Sequence, residues 1–195
     1  FINCTIFNNV KKFYFFLFIV FVFSLGNSAD ALLLVKTAET GIKQAYVPFV
    51  YMIFNTVSVF LAIAIGKLSD NIGRKILIVS CFLVYAVGYY FFGRFNSLSV
   101  FIFLFMLYGL YSALTDTSQK AMISDIVSED LKGTGFGLYH AILGITLLPA
   151  SLIAGILYDK VNSNAPFYFG SAMAFFATIL MIIFAVQDYR KRNNN

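Results

Sequence analysis

A chain of 195 residues with 60% hydrophobic and only 12% charged types cannot be an ordinary soluble domain, whose surface must meet water. The same figures exclude a disordered chain. The net charge of +5, from 14 Lys and Arg against nine Asp and Glu, reads here as loop charge on one side of a membrane. No basic run exceeds three residues, so nucleic acid is not an expected partner.

Length limits the count. A membrane-spanning helix takes about 20 residues, so six spans use about 120 and leave about 75 for loops and ends. The expected fold class is an all-α membrane protein of six transmembrane helices in one bundle over residues 13–187. A polar tail over 1–12 and a basic, Asn-rich tail over 188–195 flank it. The chain starts at Phe1 and not Met, which reads as a missing N-terminal portion.

The first predicted span covers 13–35, behind Lys11 and Lys12. A charged start, an apolar run to Leu25 and small residues near Ala29 also fit a secretory signal peptide. Apolar residues resume at 31–35 and five more spans follow, which favours a span. Asn27 and Asp30 lie about 21 and 26 Å along it and share a face. The second span covers 46–65; Asn55 lies about 14 Å deep, near the midplane, with Tyr51 and Ser58 on its face. Polar groups inside a span are costly and so are functional candidates. Asn27, Asp30, Tyr51 and Asn55 are therefore the cavity candidates. The alternatives are hydrogen bonds across a helix interface for Asn27 and Asn55, and an ion pair with Lys36 or Lys43 for Asp30.

Gly66-Lys67-Leu68-Ser69-Asp70-Asn71-Ile72-Gly73-Arg74-Lys75 follows as a tight charged loop. Gly66 and Gly73 permit close approach or a positive φ. Asp70, between two helix ends, can pair with Arg74 or Lys75 and latch them.

The third and fourth spans cover 76–92 and 98–114. Cys4 and Cys81 lie too differently placed to form a disulfide framework. Asp116, paired with Lys120 four residues on, opens a polar connection through Asp125, Glu129, Asp130 and Lys132, read as gate or loop charges and not ligands. The fifth span covers 135–157. His140, the one histidine, is either a proton relay together with Asp30 or a packed side chain. Gly133, Gly137, Gly144, Ser151 and Gly155 form a small-residue stripe that lets another helix approach, and Pro149 can kink it. The sixth span covers 166–186. The many Phe and Tyr side chains face lipid or fill the core, with no regular ring stack legible.

With the N-terminus inside, the inner segments hold Lys11, Lys12, Lys67, Arg74, Lys75, Lys120, Lys132, Arg190, Lys191 and Arg192, against Lys36, Lys43, Arg94 and Lys160 outside. This bias places both ends in the cytoplasm. No zincin motif, Cys/His cluster or nucleophile elbow is present, so no enzyme, cofactor or metal site is expected.

The loop resembles the signature G-x-L-x-D-x-x-G-R-[RK] of the major facilitator superfamily. Gly66, Leu68, Asp70, Gly73, Arg74 and Lys75 match, and Asn71 departs where a basic residue is common. The stretches 25–31, 115–125 and 133–139 resemble the seventh, tenth and eleventh helices of bacterial members. The resemblance implies the C-terminal half of a twelve-helix transporter, a bundle of 3+3 inverted repeats. It implies a cytoplasmic gate loop at Gly66, Asp70, Gly73, Arg74 and Lys75. A faint repeat echo joins Gly66-x-Leu68-x-Asp70 to Gly155-x-Leu157-x-Asp159. The expected function is secondary transport of a small solute by alternating access in a bacterial plasma (inner) membrane. The expected partners are the lipid bilayer, the missing N-terminal six-helix half and a small-molecule substrate. The alternative is a non-transporting polytopic module, such as an assembly partner or receptor-like protein.

Overall fold

In the computed structural model every described element is helical. The backbone is described for residues 2–27, 30–39 and 46–193, and the side chains for 10–27, 32–39, 46, 48, 49, 51–62, 64, 65 and 72–190. The helices are α1 (Ile2–Gly26), α2 (Asp30–Glu39), α3 (Val47–Ile72), α4 (Arg74–Arg94), α5 (Leu98–Ile126), α6 (Lys132–Lys160) and α7 (Ala165–Asn193). One 3-10 turn, Glu129–Leu131, leads into α6.

Among the described residues, four stretches are long and apolar enough to cross a membrane: Arg74–Arg94, Leu98–Ile126, Glu129–Lys160 and Ala165–Arg190. A shorter apolar stretch, Tyr51–Ala62, lies inside α3. The first expected span is divided between α1 and α2. At the division, the Asn27 N–H closes a tight last turn on the Ser24 carbonyl at 3.1 Å. The Tyr85 hydroxyl donates to the Gly26 carbonyl at 3.0 Å, so α4 satisfies an acceptor that the helix end leaves open.

The core comes from one face of each long helix. Phe16, Ile19 and Val20 of α1, Ile78, Cys81 and Phe82 of α4, Phe101 and Phe105 of α5, and Ala174, Ala177 and Met181 of α7 are fully buried. Packing partners run in the order α3, α5, α4, α7, α1, α6.

Close backbone approach occurs at glycines in three helices. A Cβ at Gly170 of α7 would stand 2.6 Å from the Gly26 carbonyl oxygen and 2.7 Å from the Tyr89 ring. A Cβ at Gly109 of α5 would stand 2.9 Å from the Phe54 carbonyl oxygen of α3. The small-residue stripe of α6 behaves differently. A Cβ at Gly133, Gly137, Gly144 or Gly155 meets nothing within 4 Å, and Ser151 is half-buried. Among the described residues the glycines of the stripe approach no helix; the tightest glycine contacts lie in α1, α5 and α7 instead, with looser ones at Gly93 of α4 and Gly135 of α6. Spacing along one helix cannot tell which neighbour stands opposite it.

Two predicted boundaries move. The polar connection expected after residue 114 is instead the last three turns of α5, because no Gly or Pro interrupts it. The expected solvated tail from 188 is part of α7, and Asp188 is buried there, bound by Lys12 of α1 and Lys75 of α4. Lys75 also lies 5.8 Å from the Phe184 ring centroid. One carboxylate thus ties three helix ends together.

At the other end of the bundle, Lys36 is 2% exposed and donates to Glu39 Oε2 at 3.0 Å and to Ser163 Oγ at 3.1 Å. The Tyr158 hydroxyl donates to Glu39 Oε1. Burial alone would raise the Glu39 carboxyl, but the Tyr158 hydroxyl and the Lys36 ammonium outweigh it and hold the group below its ordinary value.

Between α3 and α4, Gly73 adopts φ 95° and ψ 134°, a region that L side chains rarely enter. Gly73→Ala is expected to destabilise the protein by about 1–3 kcal/mol through backbone strain alone, since a Cβ there meets nothing within 4 Å. A lower melting temperature for Gly73→Ala, unchanged for Gly133→Ala, checks this.

Candidate functional site

The helix α5 carries a polar stripe down one face. Tyr108, Tyr111, Ser112, Thr115, Asp116 and Gln119 recur at spacings of three, one, three, one and three, which keeps them on one side of a helix. They line one wall of a cavity of about 240 Å³. Phe23 and Ser24 of α1, Asn27 just past its end, Phe54 of α3, and Tyr139 and Leu143 of α6 complete it.

The wall is built by hydrogen bonds between helices. Asn27 Nδ2 donates to the Tyr111 hydroxyl at 3.1 Å, joining the end of α1 to α5. The Tyr139 hydroxyl donates to Gln119 Oε1 at 2.8 Å, joining α6 to α5. The Thr115 hydroxyl donates to the Tyr111 carbonyl at 2.9 Å and lies 2.7 Å from Cys81 Sγ. Gln119 is 1% exposed, and its Nε2 has no hydrogen-bond partner among the described residues. A buried donor left in that state costs about 1–3 kcal/mol.

Behind the polar wall lies an aromatic cluster. Phe23 stacks on Phe82 at 4.2 Å, and Tyr85 stacks on Tyr89 at 4.0 Å. Tyr111 meets Tyr85 edge-on at 4.7 Å, and lies tilted against Tyr108 at 5.2 Å. The contacts of Phe23 with Phe82 and of Tyr111 with Tyr85 were illegible in the sequence because their members come from different helices; Tyr85 and Tyr89 lie one turn apart on α4.

Asp116 supplies the carboxylate of the lining, which contains no Lys, Arg or His. Its side chain is 70% exposed, and Lys120 stands 3.8 Å away, so their ion pair is loose. The i, i+4 pair expected from the sequence is present, but Asp116 also faces the cavity. The chemical result is a polar pocket in an apolar bundle, with the Asp116 carboxyl in its wall and donors at Asn27 and Ser112.

Of the four cavity candidates, Asn27 lines this pocket. The Asp30 side chain lies outside the described residues. Tyr51 packs its ring on Phe54 at 5.1 Å, while Asn55 is exposed and returns its amide to the Tyr51 carbonyl at 3.0 Å. From α3 it is the apolar Phe54 that reaches the cavity, one position away from Asn55. His140 is exposed, not packed, with its ring 5.1 Å from Tyr139.

Within the loop signature, the side chains of Gly66, Leu68 and Asp70 also lie outside the described residues. Arg74 Nη1 donates to the Ala121 carbonyl at 2.6 Å and pairs with Asp125 of α5. Lys75 pairs with Asp188. The two basic residues of the signature therefore reach α5 and α7.

The sequence reading missed Asp116, Gln119, Tyr111 and Tyr139 as cavity residues. The period of polar residues across 108–119 was the available signal, obscured by treating 115 onward as a connection.

Comparison with known proteins agrees with this architecture. The family model of the Major Facilitator Superfamily matches residues 14–195. An uncharacterized MFS-type transporter of Methanocaldococcus jannaschii is 35% identical over 181 residues, covering 90% of this chain and 45% of the relative. Multidrug resistance protein 1 of Bacillus subtilis is 30% identical over 129 residues, covering 66% of this chain and 33% of that protein. Quinolone resistance protein NorA of Staphylococcus aureus is 25% identical over 126 residues, covering 65% and 32%. The chain thus spans less than half the length of each of these relatives.

Proposed function

Because the chain belongs to the Major Facilitator Superfamily, an integral membrane transporter family, we propose that it forms one half of a secondary transporter working by alternating access. The observation that carries this reading is the polar cavity with Asp116 in its wall, set among apolar helices. Polar groups in such a setting are expensive and mark solute paths.

In this reading the chain forms a six-span bundle of 3+3 inverted repeats, with α1 and α2 together making the first span. A second half, in the same polypeptide or on another chain, supplies the opposite wall. The exposed apolar residues Phe49, Met52, Val59 and Phe60 of α3 and Ile145, Leu148 and Leu152 of α6 support that partner. Both chain ends face the cytoplasm of a bacterial plasma membrane, following the Lys and Arg bias. The Gly66–Lys75 loop gates the cycle from that side. The resistance proteins among the relatives make export of small organic compounds the first solute class to test.

Solute flux in proteoliposomes tests the proposal. The full-length protein is expected to move solute, and Asp116→Asn is expected to lower that flux at least about tenfold, the size of a lost cavity contact of about 1.4 kcal/mol. Asp159→Asn, at the far end of α6 and outside the cavity, is expected to leave flux unchanged. The 195-residue chain alone is expected to carry nothing above empty vesicles. Uptake by that chain alone, or full flux in Asp116→Asn, overturns the respective claim.

A further inference from the structure

A second hollow, apolar and about 230 Å³, lies near the end of the bundle that carries Lys12 and Asp188. Phe13 and Tyr14 of α1, Ile126 at the end of α5, and Gly135 and Leu138 of α6 line it. The same three helices line the cavity further along their lengths. On α6, Leu138 of the groove directly precedes Tyr139 of the cavity. On α5, Gln119 is the last cavity residue, Met122 and Ile123 follow as buried side chains, and the groove begins at Ile126. On α1 the buried Phe16, Ile19 and Val20 lie between the two sets, so Gln119 and Tyr139 mark the cavity side of a packed layer that separates the two spaces.

We propose that the hydrogen bond from the Tyr139 hydroxyl to Gln119 Oε1 is a gate that closes the polar cavity from the groove. The proposal rests on reading the cavity as a solute path. Three features carry it. The bond joins α5 to α6 across the boundary at 2.8 Å. On the face of α6 that carries Gly133, Gly137 and Gly144, a Cβ meets nothing within 4 Å among the described residues, so no helix of this chain pins α6 from that side. Gln119 Nε2 is buried without a hydrogen-bond partner among the described residues, so the closed arrangement leaves a donor unsatisfied. Parting the two helices lets water or a solute acceptor reach that amide, which offsets the loss of the Tyr139 bond. Two discrete arrangements of similar energy are what a gate requires. Gln119 and Tyr139 thus act as gating residues: each sets access to the cavity and also lines it.

Chemical labelling tests this without any flux measurement, so its outcome is separate from that of the transport reading. A cysteine replaces Ser112, a cavity residue, in a cysteine-free full-length protein held in vesicles. A membrane-impermeant maleimide is added from the face that carries Lys12 and Asp188. Tyr139→Phe keeps the ring and removes the donor, and it is expected to raise the labelling rate at least threefold. Gln119→Leu removes the acceptor and is expected to do the same. A cysteine at Met181, buried in the core on α7 and outside both hollows, serves as control and is expected to label at an unchanged rate. Melting temperatures of all variants check that they fold. Unchanged Ser112→Cys labelling in either folded variant overturns the proposal. Equal acceleration at Met181→Cys also overturns it, because general loosening then explains the effect. If Tyr139→Phe does not fold, Gln119→Leu decides alone; if neither folds, the bond is a structural tie and the gate is rejected.

Discussion

Gly170→Val is expected to be among the most damaging single substitutions in the bundle. The α1 and α7 backbones meet at Gly26 and Gly170, and a Cβ on Gly170 already stands 2.6 Å from the Gly26 carbonyl oxygen. Backbone cannot rotate away as a side chain can, so the helices must separate. Separation pulls Gly26 from the Tyr85 hydroxyl that caps α1, and moves Phe23 off Phe82 in the same cluster. Overpacking of this kind costs about 1–3 kcal/mol for an added methylene or two, and rigid neighbours push it to the upper end. A fall of roughly 5–10 °C in melting temperature is the corresponding expectation for a protein of this size. Gly144→Ala is the control. Its Cβ meets nothing within 4 Å, and alanine favours a helix interior by up to about 1 kcal/mol, so no loss is expected. Equal losses at the two sites would remove the argument that Gly26 and Gly170 set the α1–α7 distance.

Asp188→Asn is the second large expected effect. The Asp188 side chain is 6% exposed, while Lys12 and Lys75 are each 25% exposed. Removing the carboxylate leaves two ammonium groups facing each other at the junction of α1, α4 and α7. Breaking a fully buried pair costs about 3–5 kcal/mol and an exposed pair about 0–1. Partial exposure of the lysines puts this site between them, at about 2 kcal/mol. Lys12→Met added to Asp188→Asn removes one repelling charge and is expected to restore part of the stability. Denaturation of the single and double variants measures the coupling; purely additive losses would show that the charges do not interact. Lys75 also closes the loop signature, so the same variant is expected to make Lys75 more reactive to amine-directed reagents.

Much of the fold was legible in the sequence because its causes are local. The membrane class follows from composition, since the apolar excess has no aqueous surface to suit it. The later helices follow from long apolar runs, and α4, α6 and α7 begin within three residues of their predicted starts. Gly73 was legible as a backbone requirement, and it adopts the positive φ that only glycine takes easily. The loop signature identified the family from six positions.

The site was legible only in part. Asn27 was found because a polar residue in an apolar run is conspicuous by itself. Asp116 was read as a gate or loop charge because it lies past the apolar run that ends at Leu114, and Gln119 drew no notice. A helix continues through polar residues when they have a wet cavity to face, and only the neighbouring helices create that cavity. Asn55 shows the converse: its expected depth suited a cavity, but its rotation about α3 leaves it exposed while Phe54 turns inward.

The sequence by itself determined the solvent, the helices and the family, because each depends on composition, periodicity or fixed local spacing. Tertiary structure decided which faces meet. The partnership of Asp188 with Lys12 and Lys75, the passage of Gly26 against Gly170, and the link from Gln119 to Tyr139 join residues from different helices. Such pairings depend on how each helix is rotated and where it crosses its neighbours. Rotation and crossing are set by packing across the whole bundle, and no stretch of chain encodes them alone.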